Sequence, residues 1–161
     1  MLERALRVDG RALITQAITG LGGVGKTQLA ARYVHTHGDK YDIVAWIHAE
    51  DGGIADLATL AAKFDERVEG LSPAEQRDLA LERLARGEER WLLVLDNIDS
   101  PEQLPVCLPQ AGNGRVLVTS RNGPWGTTER KVTLSGWPAR RCLRTLGRGQ
   151  TTNSRFPCKL R

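Results

Sequence analysis

The chain has 161 residues, 40% of them hydrophobic, which is enough to bury the core of one domain. Because it contains no run of about 18 apolar residues and no apolar signal-peptide core, we expect a cytoplasmic protein without a membrane partner. The net charge of +4 comes from residues 139–161, which hold seven Lys and Arg and no acid. Residues 1–138 are mildly acidic, which argues against nucleic acid as the partner of the folded body.

The first predicted elements are a short lead-in helix over residues 1–11 and an apolar, β-rich strand over residues 12–19. Residues 27–37 follow the helical pattern, with apolar side chains on one face. That face consists of Leu29, Ala30, Tyr33 and Val34. His35 and His37 lie two residues apart near the end of this helix and point in different directions, so they do not predict a metal site.

The segment between this strand and this helix is Gly20-Leu21-Gly22-Gly23-Val24-Gly25-Lys26-Thr27, a complete match to the phosphate-binding pattern G-x-x-x-x-G-K-[ST]. Its glycines allow successive N–H groups to point toward one anion, and the following helix N-terminus favours the same anion. Lys26 is predicted to contact the β- and γ-phosphates, and the Thr27 hydroxyl to bind Mg²⁺. The predicted nucleotide-binding residues are Gly20, Gly22, Gly23, Val24, Gly25, Lys26, Thr27 and Gln28. The alternative is a glycine-rich turn that carries Lys-Thr by chance, and the flanking strand and helix argue against it.

A second strand and two helices are predicted before the next chemical motif. Residues 41–49 are β-branched and aromatic, which predicts a buried strand, and residues 54–66 repeat apolar side chains at helical spacing. Ser72 as the N-cap, with proline next and Glu75 three residues later, predicts a helix that ends at Gly87. Its expected apolar positions are Leu79, Leu81 and Leu84.

Residues 91–99 form the second chemical motif, in which five apolar residues are followed by Asp96. Ligands of doubly wound sheets bind at the carboxyl ends of the strands. Asp96 is therefore predicted to lie beside Lys26 and Thr27 and to bind Mg²⁺ directly or through water. An aspartate at the end of an apolar strand can also cap a helix, which is the alternative role.

Residues 114–122 predict another buried strand, and a shorter strand follows over residues 131–134. Arg121, at the end of the first of these, is placed to contact a γ-phosphate or to sense its absence. Lys26, Asp96 and Arg121 form the predicted catalytic set. The alternative for Arg121 is an ordinary surface arginine.

Together these elements predict a three-layer α/β fold with a mainly parallel five-stranded sheet over residues 12–136. Residues 137–161 show no periodicity and are predicted to be a basic, disordered tail. The three cysteines are widely spaced, without a C-x-x-C pair, and predict neither a disulfide framework nor a zinc site.

Four segments together resemble the nucleotide-binding part of NB-ARC domains, which belong to the signal-transduction ATPases with numerous domains. They are residues 20–27, 44–47 (Val-Ala-Trp-Ile), 92–97 (Leu-Leu-Val-Leu-Asp-Asn) and 115–121 (Arg-Val-Leu-Val-Thr-Ser-Arg). The chain is similar in particular to bacterial members that carry tetratricopeptide repeats. The resemblance implies a switch that ADP holds closed and ATP opens. It also implies that Lys26 and Thr27 bind the phosphates and Mg²⁺, that Asp96 binds Mg²⁺, and that Arg121 is the sensor.

The chain departs from the family in two respects. Asn97 stands where many relatives have a second acid, and because an amide cannot accept a proton from water, we expect slow or no hydrolysis. The family's helical and winged-helix modules have no counterpart after Trp137. We therefore expect a truncated or frameshifted fragment, whose surface, left uncovered, would favour self-association.

Other functions stay open at this point. An active ATPase would need a base that Asn97 does not provide, and a small-molecule kinase would need an arginine-rich lid and an acceptor pocket. A nucleic-acid-binding regulator would act through the basic tail, which has few aromatic side chains for stacking. A GTPase is disfavoured because the chain has no Asn-Lys-x-Asp element for guanine.

Overall fold

The computed structural model describes part of the chain. The described residues are 14–19, 23, 25–121, 130–133 and 159–160, and side chains are described for 18–19, 23 and 25–121. The predicted lead-in helix over residues 1–11 lies outside these ranges, as do most of the predicted tail and three predicted nucleotide-binding residues. Those three are Gly20, Gly22 and Val24.

Within the described residues the chain forms six strands and three α-helices, with four short 3₁₀ helices between them. The strands are β1 (Ile14–Thr19), β2 (Ile43–His48), β3 (Trp91–Ile98), β4 (Gly114–Ser120), β5 (Arg130–Thr133) and β6 (Lys159–Leu160). The helices are α1 (Lys26–His37), α2 (Ile54–Phe64) and α3 (Pro73–Arg86). None of the described helices is both long enough and apolar enough to cross a membrane.

The described strands form one sheet in the order β5-β1-β4-β3-β2-β6. The first five strands in this order pair in parallel, and β6 pairs antiparallel with Ile43 and Val44 of β2. The five parallel strands are the predicted ones. β6 is an addition, in a segment for which the sequence predicts no regular structure. The α/β fold with a mainly parallel sheet is confirmed.

The sheet separates two apolar clusters because the side chains of each buried strand alternate between its two faces. In β3, Trp91, Leu93 and Leu95 belong to the cluster that contains residues of α2 and α3. Leu92 and Val94 belong to the other cluster, which contains residues of α1. Helices therefore cover both faces of the sheet, which gives the three predicted layers and leaves the strand ends as the accessible edges.

α3 begins with the predicted capping box. The Ser72 hydroxyl accepts the Glu75 N–H at 3.4 Å, and the Glu75 carboxylate accepts the Ser72 N–H at 2.9 Å. The predicted apolar face of α3 is wrong at one position, since Leu79 is 39% exposed whereas Ala80 and Leu84 are buried. Ala80 and Leu84 are four residues apart and share one face of the helix, and Leu79 lies outside that face.

α2 begins at a glycine that sequence spacing alone does not explain. Gly53 is the N-cap of α2 and has a φ of +65°, in the left-handed region. A Cβ built on Gly53 would lie 2.3 Å from Ile47 Cγ2, and Ile47 is buried in β2. Glycine is required here both by backbone conformation and by the close approach of α2 to the sheet.

We expect Gly53→Ala to lower the free energy of unfolding by about 2–4 kcal/mol, because the added methyl group overpacks the core and a left-handed alanine is strained. The measurement is urea denaturation followed by circular dichroism. Gly70→Ala is the control, because a Cβ there meets nothing within 4 Å and Gly70 lacks a positive φ. Equal stability of the two variants would contradict this account of Gly53.

Candidate functional site

In the described part of the phosphate loop, two glycines have the left-handed backbone conformation that other residues rarely adopt. Gly23 has a φ of +78° and Gly25 a φ of +88°. Gly25 is the N-cap of α1, and its carbonyl oxygen accepts the Leu29 N–H at 2.9 Å. β1 ends at Thr19 and α1 begins at Lys26, so the short connection keeps the N-terminus of α1 near the carboxyl edge of the sheet.

The two predicted Mg²⁺ ligands contact each other. The Thr27 hydroxyl donates a hydrogen bond to Asp96 Oδ1 at 3.0 Å, across 69 residues of sequence. Thr27 lies in the first turn of α1 and Asp96 near the end of β3. The end of the Asp-bearing strand and the start of the loop-bearing helix therefore meet at one point.

A third side chain, Thr119 of β4, fixes the Asp96 carboxylate. The Thr119 hydroxyl donates a hydrogen bond to Asp96 Oδ1 and accepts the backbone N–H of Asn97 at 3.0 Å. Thr119 is 2% exposed. Because its hydroxyl both donates and accepts, it ties the carboxylate and the backbone of β3 to β4.

The β3–β4 register explains why Thr119 reaches both groups. Leu95 pairs with Val118, but Ile98 pairs with Ser120, so two residues of β3 face one residue of β4. This bulge contains Asn97, which has a φ of +64° and is the one described residue other than glycine with a positive φ. Asparagine tolerates this conformation better than most residues. Bulges of this kind redirect side chains at functional edges.

The Asn97 side chain turns toward the tip of β2. Its Nδ2 donates to Glu50 Oε1 at 2.8 Å. Glu50 lies in the 3₁₀ helix Ala49–Asp51, directly after β2, and is exposed. Next to it, His48 bonds the Asp56 carboxylate through both its backbone N–H, at 2.7 Å, and its Nδ1, at 2.9 Å.

Two cations and one carboxylate surround the start of α1. Lys26 is only 8% exposed. Burial lowers the pKa of its ammonium group below the ordinary value of 10.5, the nearby positive charge of Arg121 lowers the pKa further, and Asp96 opposes both effects. Arg121 is exposed and follows Ser120, the last residue of β4. The site therefore concentrates positive charge where a phosphate would compensate it.

The donor set fits Mg²⁺. This cation binds oxygen ligands and is commonly held by one or two protein groups together with phosphate and water. The Thr27 hydroxyl and the Asp96 carboxylate supply two such oxygens in contact with each other. Gln28, the remaining predicted nucleotide-binding residue that is described, is half-buried beside Gly25. In the described ranges no three His, Cys, Asp or Glu side chains form a metal cluster.

Sequence reasoning missed Thr119 and Glu50. A signal for Thr119 existed, because it is a polar residue near the end of an apolar strand that precedes Arg121. Its partner Asp96 becomes apparent only when β3 and β4 are known to be neighbours. Glu50 stands in a turn with other polar residues and carries no such signal.

Known proteins that are similar to this chain point to one family. The model of the NB-ARC domain family matches residues 3–131. A nucleotide-binding leucine-rich repeat (NLR)-like protein from Hyaloscypha variabilis is 32% identical over an alignment of 127 residues, and the match covers 66% of this chain. The chain spans 13% of the length of that relative.

We expect Thr119→Val to lower the free energy of unfolding by about 1–3 kcal/mol, because it leaves the half-buried N–H of Asn97 without its acceptor. Thr119→Ser keeps the hydroxyl and is the control. Both variants are to be compared by urea denaturation. A valine variant as stable as the serine variant would show that the hydroxyl does not hold the bulge.

We expect Lys26→Met to be at least as stable as the wild type at neutral pH, because it removes the desolvation of a buried cation. The pKa of Lys26 is lower in the folded chain than in the unfolded chain. The free-energy cost of burying the charged ammonium group is therefore complete at pH values below the folded pKa, and it disappears as the pH rises toward 10.5. The advantage of Lys26→Met should shrink accordingly in denaturation experiments at increasing pH. An advantage that grows with pH would contradict the assigned shift.

Proposed function

Because the chain belongs to the NB-ARC family of nucleotide-binding signalling NTPase domains, we propose that it binds ADP and ATP with Mg²⁺ and acts as a regulatory switch. The observation that carries the proposal is the contact between Thr27 and Asp96 beside the buried Lys26. This arrangement places a cation that can bind phosphate next to two oxygen atoms that can bind Mg²⁺.

The roles follow from the chemistry of each side chain. Lys26 would contact the β- and γ-phosphates, and the N–H groups of the glycine loop and of α1 would surround them. Thr27 and Asp96 would hold Mg²⁺, which when bound neutralises phosphate charge. Arg121, at the end of the strand between β1 and β3, would contact the γ-phosphate and so distinguish ATP from ADP.

Slow turnover is part of the proposal. Asn97, next to Asp96, carries an amide that donates to Glu50 and cannot take a proton from water. A site that binds ATP tightly but hydrolyses it slowly keeps its state long enough to be read by other domains. This favours a switch over a metabolic ATPase.

We propose that the domain works in the cytoplasm as part of a longer protein. The name of the Hyaloscypha relative joins nucleotide binding to leucine-rich repeats. Helical, winged-helix or repeat modules of such a protein would be the partners that read the nucleotide state.

The test is calorimetric titration of the purified chain with ADP, ATP and GTP, with and without Mg²⁺. We expect adenine-selective binding that Lys26→Ala weakens about 100-fold or more, because a phosphate charge loses its partner. Asp96→Asn should lower Mg²⁺ affinity about tenfold or more. Lys63→Ala and Asp99→Asn are the matched controls. Equal binding by Lys26→Ala and Lys63→Ala would refute the proposed site.

A further inference from the structure

We propose that Glu50 is the general base that takes a proton from the attacking water during slow ATP hydrolysis, with Asn97 as its positioning residue. This inference rests on the proposed function. The observation is the 2.8 Å hydrogen bond from Asn97 Nδ2 to Glu50 Oε1, which places a carboxylate beside the residue that follows Asp96. The turn after β2 thus places an exposed carboxylate next to Asn97 but not directly after Asp96 on β3, which is consistent with slow hydrolysis.

The backbone of β3 holds Asn97 in the orientation that this contact needs. The bulge and the φ of +64° turn Asn97 away from a regular strand position, and the buried Thr119 hydroxyl fixes its N–H at 3.0 Å. An amide held in this way donates to one oxygen of a carboxylate and leaves the other oxygen able to accept from water.

The turn after β2 presents Glu50 at the same edge of the sheet. His48 pairs with Asp96 in the parallel ladder, so Glu50 lies two residues beyond the point where β2 and β3 are level. Ala49 is fully buried and anchors the turn, and the Gly52 N–H donates to its carbonyl oxygen at 3.1 Å. The Glu50 side chain itself is exposed, so a water molecule can reach it.

The other polar groups near this edge are less suited to act as the base. Asp96 Oδ1 already accepts from Thr27 and Thr119, and the proposed role of this carboxylate is to bind Mg²⁺. His48 is paired through Nδ1 with Asp56. Among the described residues, the donor to the Glu50 carboxylate is the Asn97 amide.

The step balances in atoms and charge. The water oxygen forms a bond to the γ-phosphorus, and the bond from that phosphorus to the β,γ-bridging oxygen breaks. The bridging oxygen keeps the electron pair and leaves as part of ADP. The water proton passes to Glu50, which later releases it to solvent, and the products are ADP and inorganic phosphate.

The test compares the full chain with Glu50→Gln, which keeps the shape of the side chain and an oxygen that can accept from Asn97. We expect Glu50→Gln to bind ADP as the wild type does and to hydrolyse ATP about 10²- to 10⁴-fold more slowly. It should also lose affinity for ADP with aluminium fluoride, which imitates the planar phosphoryl group in transfer. Asp51→Asn removes a neighbouring exposed charge from the same 3₁₀ helix and should change none of these values.

The possible results separate this proposal from the proposed function. Wild-type hydrolysis by Glu50→Gln would overturn it, as would a wild-type chain that binds ATP but hydrolyses it no faster than Lys26→Ala. In both cases the nucleotide switch would survive. A wild-type chain that binds neither ADP nor ATP would refute both proposals.

Discussion

The oxygen Oδ1 of Asp96 is the acceptor on which the edge of the sheet depends. It accepts hydrogen bonds from Thr27 of α1 and from Thr119 of β4. The elements β3, α1 and β4, which are distant in sequence, are therefore connected through this one oxygen atom. The Thr27 hydroxyl and the Asp96 carboxylate would be the groups that hold Mg²⁺ in the proposed function, where the cation would neutralise phosphate charge. Because Thr119 also donates to Asp96, the position of the carboxylate does not depend on Thr27 alone.

The rest of the fold makes this edge rigid. The strands that carry Asp96 and Thr119 are buried on both faces, and their apolar side chains alternate between two clusters. Little of that interior can move without opening a cavity. The stability gained there offsets the cost of the buried Lys26, whose charge is desolvated and lies near Arg121. Such a cost is typical of a site that is completed by an anionic ligand.

Local chemistry explains what the sequence could predict. Neighbouring residues alone determine the strand alternation, the cap at Ser72 and the glycine loop. The predicted bounds of the five parallel strands and three helices accordingly lie within two residues of those observed. The features that were not predicted depend on side-chain contacts between distant segments. The bulge at Asn97 needs the β3–β4 register, and the Asn97–Glu50 contact joins residues 47 apart. The exposure of Leu79 depends on how α3 rotates against the sheet.

The contact between Asn97 and Glu50 also limits which residues this chain can carry at the two positions. A carboxylate at both positions would bring two like charges into contact, which disfavours their joint ionisation. The left-handed backbone at position 97 accepts asparagine, aspartate or glycine far more readily than a branched residue. An aspartate at position 97 would therefore be best accommodated in this chain if residue 50 no longer carried a carboxylate.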